Sequence, residues 1–196
     1  EMFCEGRPFA EMPSLMARIC GICPVSHLVA SSKACDALMA VSIPPNGARL
    51  RRLINLAQIV QSHALNFFHL SSPDLLLGMD SDPEKRNVFG VLAQHPKQTK
   101  EGIRLRAFGQ ELIRRLGGKR VHPGWVVPGG VSHPLEEEAR DRVLAELPEM
   151  MVIVERNLDW FKGHMDGFQE EIRSFANFPS LFMALVDEKG RLDFYD

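Results

Sequence analysis

The sequence predicts a mainly α-helical fold, a bundle of long helices followed by a small C-terminal β-hairpin. Apolar residues recur at three- and four-residue steps over most of the chain. Pro and Gly clusters at 44–47, 117–118 and 123–134 separate these stretches, and strand-like segments appear only from residue 180 onward. The 196 residues are 45% hydrophobic and 24% charged, a globular composition without a low-complexity linker. We therefore treat residues 1–196 as a single region.

The first three long helices are predicted from their apolar faces and their breaks. One begins at Pro24, because proline lacks the N–H that the first helical position leaves unbonded, and extends to about Ala40. Its inner side is expected to carry Leu28, Ser31, Cys35, Leu38 and Met39. The second presents an apolar face of Leu50, Leu53, Ile54, Ala57, Gln61, Ala64, Leu65 and Phe68. The third is marked by Ile103, Ala107, Leu112, Ile113 and Leu116, and Gly117 stops it.

The longest pattern predicts one helix over residues 144–175, buried in the bundle. Its apolar positions alternate steps of three and four: Leu144, Leu147, Met151, Val154, Leu158, Phe161, Met165, Phe168, Ile172 and Phe175. Pro148 is expected to kink the helix or restart it. The alternative use of such a seam is a coiled-coil dimer. The C-terminal hairpin is predicted from strands at 180–186 and 191–195 around a turn at 187–190.

Charge and cysteine usage exclude several classes of protein. Lys and Arg number 23 against 25 Asp and Glu, a net charge of −2 that favours neither nucleic acid nor an anionic membrane surface. No apolar run is long enough to span a membrane. All four cysteines fall within the first 35 residues, which argues for a local site and against a disulfide framework. We expect a reducing, cytoplasmic setting.

The segment 18–27 (RICGICPVSH) carries the chemistry. Cys20 and Cys23 can place both sulfurs on one soft metal ion or on each other. Cys23 is expected to cap the first long helix, where free N–H groups favour a thiolate, with His27 one turn further along the same side. A zinc site usually needs a second cysteine pair, and a c-type haem needs a His where Pro24 stands. A thioredoxin-like site needs a βαβ frame, and an iron–sulfur cluster needs four suitably spaced cysteines. The residues alone leave a soft metal or a redox pair open.

The same segment resembles the R-x-C-G-x-C-x-x-x-H signature of nickel–iron hydrogenase large subunits, with Arg18, Cys20, Gly21, Cys23 and His27 in the fixed positions. The likeness extends to the approach EMFCEGRP at 1–8, to Ile43-Pro44-Pro45-Asn46 with the helix after it, and to the loop from Val121-His122-Pro123 to Gly129-Gly130-Val131. The residues around the motif are most similar to those of the bidirectional, NAD-reducing cytoplasmic group.

The resemblance implies a specific site and reaction. Cys20 would be a terminal nickel ligand and Cys23 a bridge between nickel and iron, the iron carrying cyanide and carbonyl. His27 would lie beside the ligands, and Arg18 near the interface with an iron–sulfur small subunit. The implied reaction is the reversible oxidation of dihydrogen, with electrons leaving through iron–sulfur clusters. Flavin and NAD would sit on diaphorase partner subunits, since the chain has no G-x-G-x-x-G motif.

One departure from the family pattern is large. The second cysteine pair expected in a D-P-C-x-x-C-x-x-H-type run is absent from these residues. We therefore expect the chain to be the N-terminal-to-middle part of a longer polypeptide and to be inactive alone. The other account of the missing pair is a natural truncated protein without activity. The alternatives are a related cytoplasmic hydrogenase with a deazaflavin, heterodisulfide or sulfur acceptor, a structural subunit like the quinone-site subunit of respiratory complex I, or a small redox-switch or metal-carrying module.

Other candidate residues are assigned structural roles. Cys4 and Cys35 are expected to be structural, Cys35 in the core. His63 and His69 are six residues apart, so they lie on different helix faces and cannot form a ligand pair. His122 and His133, in and beside the 123–134 loop, are expected to be structural, with lining the site as the alternative. The acidic residues are assigned to a helix start (Glu136, Glu137, Glu138) and to a solvated loop (Asp80, Asp82, Glu84).

Overall fold

A computed structural model describes residues 2–193 and confirms the mainly helical fold. Short 3₁₀ turns lie at Phe9–Glu11 and Met165–Phe168, and a π-helical turn lies at Asn66–Ser71. The α-helices are α1 Met12–Met16, α2 Pro24–Leu38, α3 Pro45–Leu65, α4 Ser72–Leu77, α5 Val88–Gln94, α6 Pro96–Gly117, α7 Glu137–Lys162 and α8 Gln169–Ser174. The strands are β1 Val126–Val127 and β2 Gly130–Val131. The chain forms two compact units, one up to Ile153 and one from Val154.

The helix starting at Pro24 is confirmed, but the prediction of its inner face is only partly right. The buried side chains of α2 include Val25, Val29, Ser32 and Asp36 beside the expected Leu28 and Cys35, whereas Leu38 is 70% exposed. Cys35 and Asp36 of the last turn are covered by other elements of this unit, whereas the side of the turn that carries Leu38 is not covered by any residue that the structure describes. Met39, also expected inside, lies at the exposed C-terminal cap.

The packing of α3 against α6 forms the centre of the first unit. Gly109 lies at the crossing, where an added Cβ would come within 2.8 Å of the Ala57 carbonyl oxygen. Nearby, Gly102 admits the ring of Phe68, and a cluster of Ala64, Phe68, Leu105, Phe108, Met150 and Ile153 fills the space between α3, α6 and α7. Two small residues of α6 thus allow close helix packing. The predicted stop after α6 is confirmed, since Gly118 caps it in the left-handed conformation with φ 77°.

A buried ion pair links α2, α3 and the β-ribbon. The Arg51 side chain is fully buried and donates to Asp36 at 2.5 Å, to the Gly130 carbonyl at 2.9 Å and to the Val127 carbonyl at 2.6 Å. The Gly129 N–H donates to the other oxygen of Asp36 at 2.7 Å. Burial of both charges is tolerated because nearly every polar group of the pair is hydrogen-bonded.

The predicted C-terminal β-hairpin forms only next to its turn, and the paired strands lie earlier in the chain. The one paired ladder among residues 2–193 joins β1 to β2, with Val126 opposite Val131 and Val127 opposite Gly130. The expected strand at 180–186 is irregular and exposed, and the C-terminal segment closes with a single antiparallel bridge between Val186 and Leu192. The turn at 187–190 is confirmed by the hydrogen bond from Gly190 to Asp187. The part of the predicted second strand at 194–195 lies outside the described residues.

The helix pattern at 144–175 is corrected in three respects. Helix α7 begins at Glu137 and continues through Pro148, so the expected restart there is wrong, and it ends at Lys162 before the 3₁₀ turn and α8. The predicted seam is exposed: Leu144, Leu147, Met151, Val154 and Leu158 are all at least 41% accessible. The buried stripe is Ala139, Met150, Ile153 and Asn157. Because the two stripes are one residue out of phase, periodicity alone could not choose between them.

The second unit contains the end of α7, the 3₁₀ turn and α8, with its apolar side chains largely exposed. Its C-terminal turn is held by Asp187, whose pKa is lowered chiefly by a side-chain hydrogen bond from Arg191. Over residues 2–193, no helix combines the length and the apolar character that crossing a membrane requires.

Candidate metal centre

The cysteine pair lies in the short segment between α1 and α2. Cys23 occupies the N-cap of α2, and Pro24 and Val25 begin the helix as buried residues. The missing N–H of proline is no loss at this position, so the chain can turn into the helix immediately after the second cysteine. Apart from its two chain neighbours, no residue that the structure describes comes within 4 Å of where a Cβ of Gly21 would be, so the loop between the sulfurs is open on that side.

The structure brings Cys20, Cys23 and His27 together. The two sulfurs and a ring nitrogen of His27 all lie within 4.8 Å of one another, and all three residues are half-buried. His27 is one helical turn after Cys23, and its backbone N–H donates to the Cys23 carbonyl at 3.5 Å. Two thiols and an imidazole are the donors that soft and borderline transition metals prefer. The donor set therefore fits nickel or iron, and it leaves room for ligands from elsewhere.

The two sulfurs are electrostatically unequal. The pKa of Cys20 is lowered, first by a hydrogen bond from the Cys23 thiol and then by the backbone N–H groups of Cys23 and Ile22. The pKa of Cys23 is raised, because its thiol donates that hydrogen bond and because burial and the charge of Cys20 oppose ionisation. Helix capping alone predicts the thiolate at Cys23; the structure favours Cys20, because one proton shared by two sulfurs stays on the donor.

Arg18 is exposed and hydrogen-bonded to Ser14. Its guanidinium donates to the carbonyl and to the hydroxyl of Ser14, each at 2.7 Å. This contact holds the C-terminal end of α1 in place one turn upstream of the cysteines. A role of Arg18 at the interface with another chain stays a prediction, and the exposed position of the residue is compatible with it.

Two glutamines of α3 contact the cysteine loop directly, and the sequence patterns above did not predict their role. Gln58 and Gln61 both donate side-chain N–H groups to the Ile22 carbonyl, at 2.8 and 2.6 Å. Both are at least 97% buried. A signal was available: Arg51, Asn55, Gln58 and Gln61 recur at steps of three and four along α3, and Gln61 stands among the positions of its apolar face. Buried polar residues at helical spacing indicate partners that need hydrogen bonds.

The 121–134 loop contributes anchors to this region. A ring nitrogen of His122 lies 2.7 Å from the Ala17 carbonyl, which requires that this nitrogen carry the proton. The His133 carbonyl accepts from the indole of the buried Trp125 at 2.7 Å. The contact of the His122 ring is consistent with its predicted structural role, whereas the contact at His133 uses only the backbone of that residue.

The other candidate residues lie outside the cluster. Cys35 is buried in the core as expected, donates to the Phe9 carbonyl at 3.4 Å, and has a pKa raised first by burial and then by Asp36. Cys4 is half-buried and is not bonded to another cysteine. Burial also lowers the pKa of His69, which lies in the π-helical turn. The acidic residues Glu137 and Glu138 form the first turn of α7, as predicted.

The sequence of the chain matches one family model and several known proteins. A family model described as nickel-dependent hydrogenase matches residues 1–102. The chain is 38% identical, over its whole length, to a vhu-type F420-non-reducing hydrogenase chain of Methanocaldococcus jannaschii, of which it covers 47%. It is 36% identical to the NAD-reducing hydrogenase HoxS subunit beta of Cupriavidus necator, of which it covers 42%.

Solved structures match the fold as well. The crystal structure of an NAD⁺-reducing [NiFe]-hydrogenase in the H₂-reduced state superposes with a TM-score of 0.94 at 42% identity, covering all of this chain and 44% of that one. A Ni-Fe-Se hydrogenase from Desulfovibrio vulgaris Hildenborough gives a TM-score of 0.76 at 27% identity, over 87% of this chain and 37% of that one. The chain thus spans less than half the length of these relatives. Together with the filled cysteine motif, these matches show that the chain belongs to the nickel-dependent hydrogenase large-subunit family.

Proposed function

We propose that this chain supplies half of the thiolate ligands of a nickel–iron centre that oxidises dihydrogen reversibly. The observation that carries the proposal is the convergence of two cysteine sulfurs and a histidine nitrogen within 4.8 Å at the start of α2. In this proposal Cys20 would hold nickel through its sulfur, and Cys23 would hold nickel and iron. The iron is proposed to carry cyanide and carbonyl.

Each residue has a defined task at this site. When bound, the bimetallic group supplies the Lewis acidity that polarises dihydrogen for heterolytic cleavage. Cys20, the sulfur with the lowered pKa, is the side chain that ionises first to receive a soft metal ion. Cys23 holds its proton longer and can lose it to solvent as a metal ion approaches. His27 can donate a hydrogen bond to a sulfur ligand, which adjusts the basicity of that sulfur.

The activity of the whole protein needs more than these residues. Cys20 and Cys23 provide two thiolates, whereas Cys35 is bonded to the Phe9 carbonyl inside the core. Of the cysteines in the chain, only Cys20 and Cys23 belong to the cluster. We infer that two further thiolates complete the metal site from polypeptide beyond these residues, and that this chain alone is inactive.

We propose NAD as the final electron acceptor and the cytoplasm as the location. The support is the 42% identity to an NAD⁺-reducing [NiFe]-hydrogenase structure and the 36% identity to the NAD-reducing enzyme of Cupriavidus necator. Electrons would pass first to a small subunit with iron–sulfur clusters and then to flavin on diaphorase partners. A different acceptor is the second candidate, because the F420-non-reducing enzyme of Methanocaldococcus jannaschii is 38% identical.

The test is the metal content of the purified holoprotein with Cys20→Ser or Cys23→Ser. We expect nickel and iron in the parent protein, with infrared bands of cyanide and carbonyl bound to iron, and loss of most of the nickel in either variant. Cys4→Ser is the matched control, because Cys4 lies outside the cluster, and it should keep its metal. Full nickel content in both variants would overturn the proposed ligands, and hydrogen-dependent reduction of NAD⁺ tests the acceptor separately.

A further inference from the structure

We propose that Gln58 and Gln61 are positioning residues that act on the Cys20 sulfur through the peptide group joining Ile22 to Cys23. The inference rests on the proposed function, and it assigns a role in tuning the metal ligand to two side chains of α3. The observations behind it are two hydrogen bonds accepted by the C=O of this peptide group and a third donated by its N–H.

The three hydrogen bonds lie in sequence. Gln58 and Gln61 donate to the Ile22 carbonyl oxygen at 2.8 and 2.6 Å. The N–H of the same peptide group, which belongs to Cys23, donates to the Cys20 sulfur at 3.3 Å. In a trans peptide the C=O and N–H point in opposite directions from one rigid plane. Fixing the carbonyl oxygen with two donors therefore fixes the direction of the N–H toward the sulfur.

Burial makes this arrangement specific. Gln58 and Gln61 are 2% and 3% exposed, so neither amide can exchange its bond for one to bulk water at low cost. Helix α6 also packs closely against Gln61, since an added Cβ on Gly109 would lie 2.9 Å from the Gln61 Cβ. The contact fixes the orientation of the Gln58 side-chain amide with its nitrogen toward the Ile22 carbonyl oxygen. In the flipped orientation the amide oxygen would face that carbonyl oxygen, and the two would repel each other. Both donors are thus committed to one oxygen.

The chemical effect is on the electron density of the sulfur. Two donors on a carbonyl polarise the peptide group, and hydrogen bonds in a chain strengthen one another. The N–H of Cys23 thereby becomes a stronger donor, and a hydrogen bond to a ligand sulfur draws density away from the metal–sulfur bond. The structure assigns this effect to Cys20, the sulfur that accepts the N–H.

The experiment compares Gln58→Met, Gln61→Met and the double variant with the parent holoprotein. Methionine keeps the length and the packing of glutamine but removes the donor. Three quantities are measured on the same samples: nickel content, the infrared bands of ligands on iron, and site-resolved hydrogen–deuterium exchange of the Cys23 amide. Gln94→Met, at an exposed position on α5, is the matched control and should match the parent in all three.

We expect the Cys23 amide of the double variant to exchange about tenfold faster, since a hydrogen bond of ordinary strength is then weakened. The infrared bands should shift, with each single variant intermediate. Unchanged exchange and unchanged bands in the single and double variants would overturn the inference. If the double variant loses nickel, the Cys23 amide exchange and the infrared bands of the two single variants are judged by the same criterion. Absence of nickel from the parent would refute the proposed function, whereas the exchange of the Cys23 amide would still test the hydrogen-bond relay.

Discussion

At the scale of single residues, charged side chains are stabilised where several partners surround them. Glu111 on α6 contacts the guanidinium groups of Arg114, Arg115 and Arg120. Its pKa falls from 4.5 to about 2, first through the hydrogen bond from Arg114 and then through the nearby positive charges. The side chain is 26% exposed, so solvent screens part of this attraction.

This depressed pKa predicts a pH-dependent stability. The stabilisation by Glu111 is fully present above pH 4.5 and is lost as the pH falls toward about 2, because the unfolded state then binds a proton that the folded state excludes. Glu111→Gln should lower the free energy of unfolding by about 1 kcal/mol at neutral pH, and by progressively less below pH 4.5. Urea unfolding at a series of pH values measures this difference. Glu155→Gln, an exposed site on α7, is the control, and a pH-independent difference for Glu111→Gln would contradict the prediction.

At the scale of elements, the distance between α3 and α6 depends on a glycine. A Cβ at position 109 would lie 2.8 Å from the Ala57 carbonyl oxygen and 2.9 Å from the Gln61 backbone nitrogen. Because backbone atoms cannot move aside cheaply, Gly109→Ala should destabilise the protein by about 1–3 kcal/mol. Chemical denaturation gives the value.

Gly47→Ala is the matched control for the glycine substitution. Its added Cβ would meet the Gly130 Cα at an ordinary 3.6 Å, and alanine is the better helix former, so the variant should be neutral or up to ~1 kcal/mol more stable. Equal effects of the two substitutions would show that helix propensity, and not the crossing of α3 and α6, controls the result.

The elements also show how far the sequence alone could predict this molecule. Pro24 and Gly117 marked real helix boundaries, because proline and glycine act through the local backbone. The motif predicted the clustering of Cys20, Cys23 and His27, because four residues span one helical turn. The partners of that cluster come from α3 and lie 36 and 39 residues beyond Ile22, and no local pattern encodes such a contact. Which stripe of α7 faces inward likewise depends on contacts with distant elements, so the predicted seam of α7 is exposed.

At the scale of the whole molecule, Arg51 connects parts that are distant in the chain. It joins α3 to Asp36 on α2 and to the carbonyls of the β-ribbon, up to 79 residues away. Arg51→Met should destabilise the protein by about 3–5 kcal/mol, because the substitution leaves the Asp36 carboxylate buried without its counter-ion. Arg51→Lys should recover only part of this loss, since the ammonium group of lysine cannot reproduce the planar set of N–H donors of the guanidinium group.

A double-mutant cycle with Asp36→Asn measures this coupling. The double variant should lose less stability than the sum of the single losses, because no buried charge is left unpaired. Arg49→Met, an exposed site on the same helix, should change the free energy of unfolding by less than about 0.5 kcal/mol. Additive losses at Arg51 and Asp36 would argue that the pair is not coupled.

The separation between the cysteine loop and its glutamine donors has a consequence for the order of assembly. Cys20, Cys23 and His27 can meet as soon as the first turn of α2 forms, which for a helix takes about a microsecond or less. The donors from α3 arrive only when α3 has docked, which brings together Ile22 and Gln58 across 36 residues of chain that include the whole of α2. A soft metal ion encountered before that moment would meet sulfurs that are close together but not yet directed. We therefore expect correct metal insertion to follow the docking of α3, with timing set by chain topology.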